Sequence, residues 1–258
     1  MTSWMIDEQD PARIEIAERA SQLGITGTPD RAAHCLGNIR LASGKVVQAH
    51  VVHAVDPIIT DGTDIVMINR RHDPGIGKPA LPGGLIDPAR GGGVESAVQA
   101  AVREAAEEAG IDLEKADATL IGTRNMYRPY DVRVAQNNNL EEKYGIREGD
   151  IFMVSTQAVR FDVPDMATTS LIAGDDALPG SARRVRKSSL RKEDVGIHDH
   201  YDMIQDAFIG LDIKKAAPKP NGPDRERPHR TKASKAYSIA RIRLISAPQA
   251  CSFSTRFS

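Results

Sequence analysis

The feature that most constrains this chain is a charged helix in its first half. Residues 94–109 are rich in alanine and contain no proline, which favours a helix, and Gly110 suits the residue just past a helix end. Glu104 and Glu108 are one turn apart on one face, and Glu107 is beside them. Like charges this close are costly unless a cation lies between them, and Mg²⁺ or Mn²⁺ prefers such oxygen ligands.

A solvated acidic helix face is the alternative interpretation of the same glutamates. However, they occupy the C-terminal end of the helix, where the helix dipole opposes each negative charge by roughly 0.3–1 kcal/mol. Local rules are broken in this way at functional sites more than elsewhere. The pattern therefore indicates a metal site, and the acidic surface remains the competing hypothesis.

The residues around this helix resemble the signature of the Nudix hydrolase family, G-x5-E-x7-R-E-U-x-E-E-x-G-U, in which U is aliphatic. Glu95 and residues 103–111 match it position by position, with Ala105 smaller than the usual aliphatic residue. At the position where the signature has its glycine, this chain has Ala89. A glycine, Gly84, occurs five residues earlier. The glycine-rich residues 90–93 are expected to bulge outward without moving the helix.

The resemblance implies an α+β fold, namely a Nudix-type α/β/α sandwich around a mixed β-sheet. It also implies that Mg²⁺ or Mn²⁺ is held by four groups: the carbonyl near Gly84, Glu104, Glu107 and Glu108. Arg103 is expected to pair with Glu95 and to brace the loop against the helix, which completes the catalytic set.

The general base is left open by the sequence. Glu104 is one candidate, because it belongs to the carboxylate cluster. A later polar segment supplies the others, since related enzymes draw the base from a later loop. These are Glu141, Glu142 and Glu148.

Members of the family cleave a diphosphate linked to a further group. Short matches at residues 56–59, 81–87, 174–177 and 199–200 look like the branch that converts ADP-ribose to AMP and ribose 5-phosphate. Candidate substrate-binding residues are cations before the glycine turn and an aromatic ring for adenine. They are Arg70, Arg71, Lys78 and Tyr127, with Tyr130 and Tyr144 as other rings. His200 either caps the last helix or contacts substrate.

Other functions fit parts of the sequence. A Nudix hydrolase acting on NADH, dinucleoside polyphosphates or capped RNA is one alternative, and the basic residues 183–192 motivate the RNA version. A non-catalytic nucleotide-sensing module is another, although such modules commonly lose the carboxylates and all of them are present here.

The chain divides by composition into three parts. Residues 1–45 are expected to form a helical extension, with helices at residues 11–23 and 28–36, that docks on the core or helps form a homodimer. Residues 46–213 are the expected Nudix domain, and residues 214–258 a disordered basic tail. Expected strands are 46–55, 64–70, 118–126 and 150–161, before a closing helix at 201–211.

The net charge, the cysteines and the apolar content limit the kinds of binding partner and the cellular compartment that we expect for this protein. A formal net charge of −1 gives no sign of nucleic-acid binding, so nucleic acid is an unlikely partner. Two distant cysteines and the lack of a long apolar run favour a reduced, cytoplasmic protein that does not contact membrane. We expect the partner to be a small nucleotide-diphosphate substrate.

Overall fold

The computed structural model describes residues 10–23, 29–72, 75–89, 93–131, 140–174 and 176–215. The expected disordered tail lies outside these ranges except for its first two residues. Four α-helices are described: α1 (Ala12–Gln22), α2 (Ala97–Ala109), α3 (Leu140–Tyr144) and α4 (His198–Lys215). The strands are β1 (Ala33–Arg40), β2 (Val46–Thr60), β3 (Asp64–Asn69), β4 (Pro79–Ala80), β5 (Gly84–Leu85), β6 (Asp117–Asp131), β7 (Ile151–Asp162) and β8 (Arg183–Arg186).

A mixed sheet of eight strands organises the molecule around β2, and the expected α+β Nudix-type fold is confirmed. Along one edge β2 pairs with β7 in parallel, and β6 continues the sheet beyond β7. Along the other edge β2 pairs antiparallel with β1, β5 and β3 in succession. This arrangement places β5, and with it Gly84, directly against the middle of β2.

Two helices cover opposite faces of the sheet and enclose its core. The alanine-rich face of α2 packs on Val55, Val159 and Phe161. On the other face α4 packs on Ile58 and Ala158, residues of opposite parity along the same strands. Successive residues of β2 and β7 point alternately toward the α2 layer and the α4 layer. Because both layers are buried, these strands are largely apolar along their length.

The expected elements are in place with shifted ends. All four expected strands are confirmed, and β2 and β6 extend further, to Thr60 and Asp131. The closing helix starts earlier than expected, at His198. Helix α2 begins at Ala97 rather than residue 94 because Ser96 and Gln99 form a reciprocal capping box.

The helix expected over residues 28–36 is wrong. Residues 33–40 form β1, which pairs with residues 46–52 of β2. The cap-like Thr28-Pro29 signal, of which Thr28 lies outside the described residues, is overridden because pairing with β2 buries Leu36 and Ile39. The other expected helix, α1, is confirmed.

The N-terminal segment is built onto the sheet. Ile16 and Ala20 of α1 pack on Val51 and Met153, on the same face as α2. Asp10 holds the start of α1 by accepting hydrogen bonds from the amides of Ala12 and Ala42. None of the helices in the described ranges is both long and apolar enough to cross a bilayer.

We expect Ile16→Ala to lower the free energy of unfolding by about 2–5 kcal/mol, because Ile16 is 1% exposed beneath α1. Ile14 lies on the same helix and is 65% exposed, so Ile14→Ala should change stability by less than about 0.5 kcal/mol. Urea unfolding of both variants checks this. Equal losses would show that α1 does not pack on the sheet as described.

Candidate active site

Helix α2 is held at its C-terminal end by a later segment of the chain. Gly110 ends the helix, and the amides of Ile172 and Gly174 donate to the carbonyls of Ala109 and Glu108. These bonds satisfy carbonyls that a helix end leaves unpaired. A Cβ on Gly174 would collide with the Glu107 carbonyl, so only glycine permits this approach. The final turn of α2, which carries the glutamates, is therefore fixed in position.

The glycine turn before β5 is fixed from the opposite face of the sheet. The Leu81 amide donates to Nδ1 of His200, at 3.0 Å, in the first turn of α4. Nδ1 is then an acceptor, so Nε2 carries the ring proton. Nε2 is 3.4 Å from Oδ2 of the buried Asp56, although the two atoms are not aligned for a hydrogen bond. His200 thus positions the turn, which differs from both roles that the sequence suggested.

Arg103 ties the glycine turn to the helix. Its guanidinium donates to the Leu85 carbonyl at 2.9 Å and to Glu95 at 2.6 Å and 3.3 Å. It also donates to Glu104 at 2.6 Å and Glu107 at 2.9 Å. Burial alone would lower the pKa of Arg103, but its hydrogen bonds to Glu95 and the nearby charges raise it. Arg103 stays a cation among carboxylates.

The longer loop leaves this arrangement intact. Glu95 accepts a hydrogen bond from the Asp87 amide at 2.8 Å and returns one from its own amide to the Asp87 carbonyl at 3.1 Å. Beyond them, Pro88 and Val94 form an antiparallel bridge. The five extra residues, 89–93, form a loop that this bridge closes at its base. Residues 90–92 lie outside the described ranges.

Glu104 and Glu108 are buried carboxylates beside the glycine turn. Burial raises the pKa of Glu104 to about 7 and that of Glu108 to about 8. Glu108 accepts a hydrogen bond from the Gly83 amide at 2.7 Å. The carboxylate of Glu104 lies where a Cβ on Gly84 would be, so glycine is required there. Glu107 is exposed and turns toward Arg103.

These residues fit a hard divalent cation in their chemistry. Two buried carboxylates with raised pKa values lie next to Gly84, where the absence of a Cβ lets the Glu104 carboxylate approach the backbone, so the donors on offer are all oxygens. In the described ranges, no three acidic, histidine or cysteine side chains already converge as metal ligands. Glu104 and Glu107 instead hold the guanidinium of Arg103, whose positive charge stands beside them.

The candidate substrate cations lie on the hairpin between β3 and β4. Arg70 is near enough to Glu108 for its charge to lower that carboxyl's pKa, against the larger effect of burial. Its amide bonds to the Lys78 carbonyl, and the Arg71 amide bonds to the Asp176 carbonyl. Arg70 is therefore brought to the carboxylates, while Arg71 and Lys78 are exposed. Tyr127 lies in β6, and its side chain is outside the described part.

Helix α3 adds contacts that the sequence did not reveal. Lys143 donates to both oxygens of Asp87 at 2.9 Å, and the Tyr144 hydroxyl donates to Oδ1 at 3.0 Å. Burial and the neighbouring Asp87 raise the pKa of Tyr144. No local signal predicts a contact across more than fifty residues, because only the fold brings α3 to the loop. Glu141, Glu142 and Glu148 remain exposed.

Residues 51–153 match the family model described as the NUDIX domain. The chain therefore contains a Nudix domain, and the match covers β2 from Val51 onward and the whole carboxylate helix. The protein is an enzyme of the Nudix pyrophosphohydrolase class. No curated protein sequence matches the chain significantly.

Similar solved structures include the Nudix domain of Shewanella oneidensis NrtR complexed with ADP ribose, at 17% identity and TM-score 0.39, covering 62% of this chain and 87% of that one. A bifunctional NMN adenylyltransferase/ADP ribose pyrophosphatase from Francisella tularensis is 20% identical to this chain, with a TM-score of 0.39. The alignment covers 78% of this chain and 47% of that one. A C. elegans Ap4A hydrolase is 15% identical to this chain, with a TM-score of 0.39, and the alignment covers 62% of this chain and 97% of that one. These likenesses are too distant to assign a substrate.

We expect Arg103→Lys to lower the free energy of unfolding by about 1–3 kcal/mol, because an ammonium cannot reach the Leu85 carbonyl and Glu95 with the fork of a guanidinium. The matched control is Arg147→Lys, since Arg147 is 77% exposed and lies 3.7 Å from Glu141. Exposed pairs of this kind contribute about 0–1 kcal/mol. Denaturant unfolding compares the two, and an unchanged Arg103→Lys variant would contradict the bracing role.

Proposed function

We propose that this enzyme hydrolyses a nucleoside diphosphate linked to another moiety, with ADP-ribose, giving AMP and ribose 5-phosphate, as the first candidate. The observation that carries the proposal is the burial of Glu104 and Glu108 at the glycine turn while Arg103 holds Glu95 and Leu85. Buried carboxylates are costly groups to retain unless they act on a ligand.

The charges explain why a cation belongs to the proposal. A diphosphate is anionic and is repelled by bare carboxylates, so the two can meet only when positive charge lies between them. We assign Mg²⁺ or Mn²⁺ to Glu104, Glu107, Glu108 and the Gly84 carbonyl. When bound, such an ion neutralises the diphosphate and lowers the pKa of a coordinated water.

The protein groups supply position and proton transfer. Arg103 and Glu95 keep the glycine turn against α2, and Arg70 stands beside Glu108 as a partner for a phosphate oxygen. Among the four candidate bases, Glu104 is favoured because the fold places it inside the carboxylate cluster, whereas Glu141, Glu142 and Glu148 are exposed. In this scheme Glu104 accepts a proton from the attacking water, whose oxygen bonds to one phosphorus while the bridging oxygen leaves with the other phosphate.

The short ADP-ribose-like segments gain support from what they contact. Asp56 faces His200 beneath the glycine turn, and the segment at residues 174–177 bonds both to the end of α2 and to the strand that leads to Arg70. With residues 81–87, which form the glycine turn itself, all four segments contact the turn, the end of α2 or Arg70. We retain NADH and dinucleoside polyphosphates as competing substrates of the same chemistry.

The basic run that suggested RNA is largely engaged inside the protein. Arg183 donates to Asn69 and to the Ser181 carbonyl, and Arg184 donates to the carbonyls of Met166 and Thr169. Lys187 lies 4.2 Å from the ring centre of Phe208. These contacts favour a small substrate over capped RNA.

A Mg²⁺-dependent turnover panel tests the substrate class. We expect ADP-ribose to have a higher kcat/KM than any nucleoside triphosphate, with NADH, diadenosine polyphosphates and sugar nucleotides in the same panel. Binding to capped RNA should be weak and without a steep salt dependence. A triphosphate with the highest kcat/KM would remove ADP-ribose as the substrate and leave the diphosphate chemistry in place.

We expect Glu108→Gln and Glu107→Gln each to reduce kcat by at least about 100-fold, because an amide is a poor ligand for a hard cation. Metal-free stability should stay equal or rise by some tenths of a kcal/mol, about the size of the helix-dipole effect. Glutamine resembles the protonated form that the raised pKa of Glu108 favours, and it still accepts from the Gly83 amide.

Thermal melts with and without Mg²⁺ complete this test. The cation should raise the melting temperature of the wild type more than that of either variant, since a ligand stabilises the state that binds it. Glu114→Gln is the control, because Glu114 is an exposed carboxylate just beyond α2. Full activity in both glutamine variants would show that the glutamates are only a solvated acidic surface. Unfolding of the variants would show that the glutamates have a structural role instead.

A further inference from the structure

A strip of polar side chains crosses the sheet on the face that α1 and α2 cover. On this face α1 packs on Val51 and Met153, and α2 packs on Val55 and Val159. Between these two hydrophobic clusters the same strands carry polar residues. The strip consists of His34 from β1, His53 from β2, and Ser155 and Gln157 from β7.

His53 is the residue that demands an explanation. It is 0% exposed, and neither ring nitrogen has a hydrogen-bond partner among the described residues. The His34 ring is its neighbour, with ring centres 5.2 Å apart in an edge-to-face arrangement. A buried polar group without a hydrogen bond destabilises the fold, whereas an apolar side chain of similar shape would not carry that cost.

The strip lies next to the carboxylate site. The His53 carbonyl accepts a hydrogen bond from the Ile86 amide at 2.9 Å, and Val55, two residues along β2, pairs with Gly84. Two residues of a strand span about 7 Å. A substrate whose diphosphate meets Glu104 and Glu108 therefore has the strip within reach of its attached nucleoside.

A cleft opens beside the His34 end of the strip. It has a volume of about 330 Å³ and is lined by residues 30–33, Pro88, Gly93, Lys143 and Tyr144. Asp30 of this lining lies 3.5 Å from Nε2 of His34, and the Ala32 carbonyl accepts from the His53 amide. The volume is in the range of small-molecule sites. Through these two contacts of Asp30 and Ala32, the lining of the cleft adjoins the His34 end of the strip.

The strip is built to hydrogen-bond an uncharged group. Burial lowers the pKa of His53 to about 4, with a smaller contribution from His34, so its ring is neutral near pH 7. A neutral imidazole offers one donor and one acceptor to a ligand. A phosphate would require cations instead. This chemistry matches the edge of a nucleobase.

We propose that His53 and His34, reached through the cleft beside Asp30 and Tyr144, bind the nucleobase of the substrate. The inference rests on the proposed hydrolysis of a nucleoside diphosphate derivative, whose diphosphate the carboxylates take. Recognition of the base is thereby separated in space from the chemistry at phosphorus.

Calorimetric titration with nucleoside monophosphates tests the proposal without turnover. The probes are AMP, GMP, CMP and UMP, with ribose 5-phosphate as the ligand that lacks a base. We expect at least one monophosphate to bind, and His53→Leu to weaken that binding about tenfold or more. Ribose 5-phosphate should bind both proteins equally, and the melting temperature of His53→Leu should be unchanged or higher.

His50 provides the matched control. It is a buried histidine of the same strand, but it lies on the other face, 3.3 Å from Asp150. His50→Leu should leave monophosphate affinity unchanged and lower the melting temperature, because it removes the partner of Asp150. Equal loss of affinity in the two variants would overturn the assignment to the strip.

The wild-type protein gives a second measurement if His53→Leu does not fold. In ¹⁵N-histidine NMR spectra, the bound monophosphate should shift the ring signals of His53 and His34 and leave those of His50 in place. Absence of binding by all four monophosphates, or unchanged His53 signals on binding, would overturn the proposal. Either result is distinct from failure of the proposed reaction, which would appear as no turnover in the substrate panel.

Discussion

The site depends on the placement of Glu104 and Glu108 in a buried position against a turn of two glycines. Burial favours their protonated forms, as the raised pKa values of both carboxyls show. Arg103 donates a hydrogen bond to Glu104, and the Gly83 amide donates one to Glu108. Because Glu108 accepts a hydrogen bond from the Gly83 amide and Arg103 donates to the Leu85 carbonyl, helix and turn cannot move independently. Their mutual position is the constraint that the other elements satisfy.

Both faces of the sheet contribute to that position. From one face, α2 supplies the glutamates and Arg103, and the segment at residues 172–174 bonds its last carbonyls. From the other face, α4 supplies His200, which accepts the Leu81 amide and so fixes the entry to the turn. Neither layer alone would hold the glycines beside the carboxylates. The sandwich is therefore a requirement of the site as well as of the hydrophobic core.

Binding and chemistry draw on different parts of the same strand in the function proposed here. β2 meets the glycine turn at Val55 and places His53 on the strip one pleat away. The carboxylates suit a cation and a diphosphate, whereas the neutral polar strip suits a ring with donors and acceptors. Such a division allows the attached nucleoside to be selected without altering the groups that act at phosphorus.

The family resemblance implied the pairing partner of Arg103, and the sequence alone predicted the carboxylate helix, its glycine end and the main strands. These follow from short-range patterns, since helical spacing and strand composition are encoded within a few residues. It predicted a second N-terminal helix where β1 pairs with β2, because capping signals are local and strand pairing is not. Tertiary structure alone decided that His200 holds the glycine turn, that Lys143 and Tyr144 reach Asp87, and that His34 and His53 meet in a buried strip. Each of these contacts joins residues whose proximity depends on how the sheet and helices pack, and no local pattern in the chain specifies that packing.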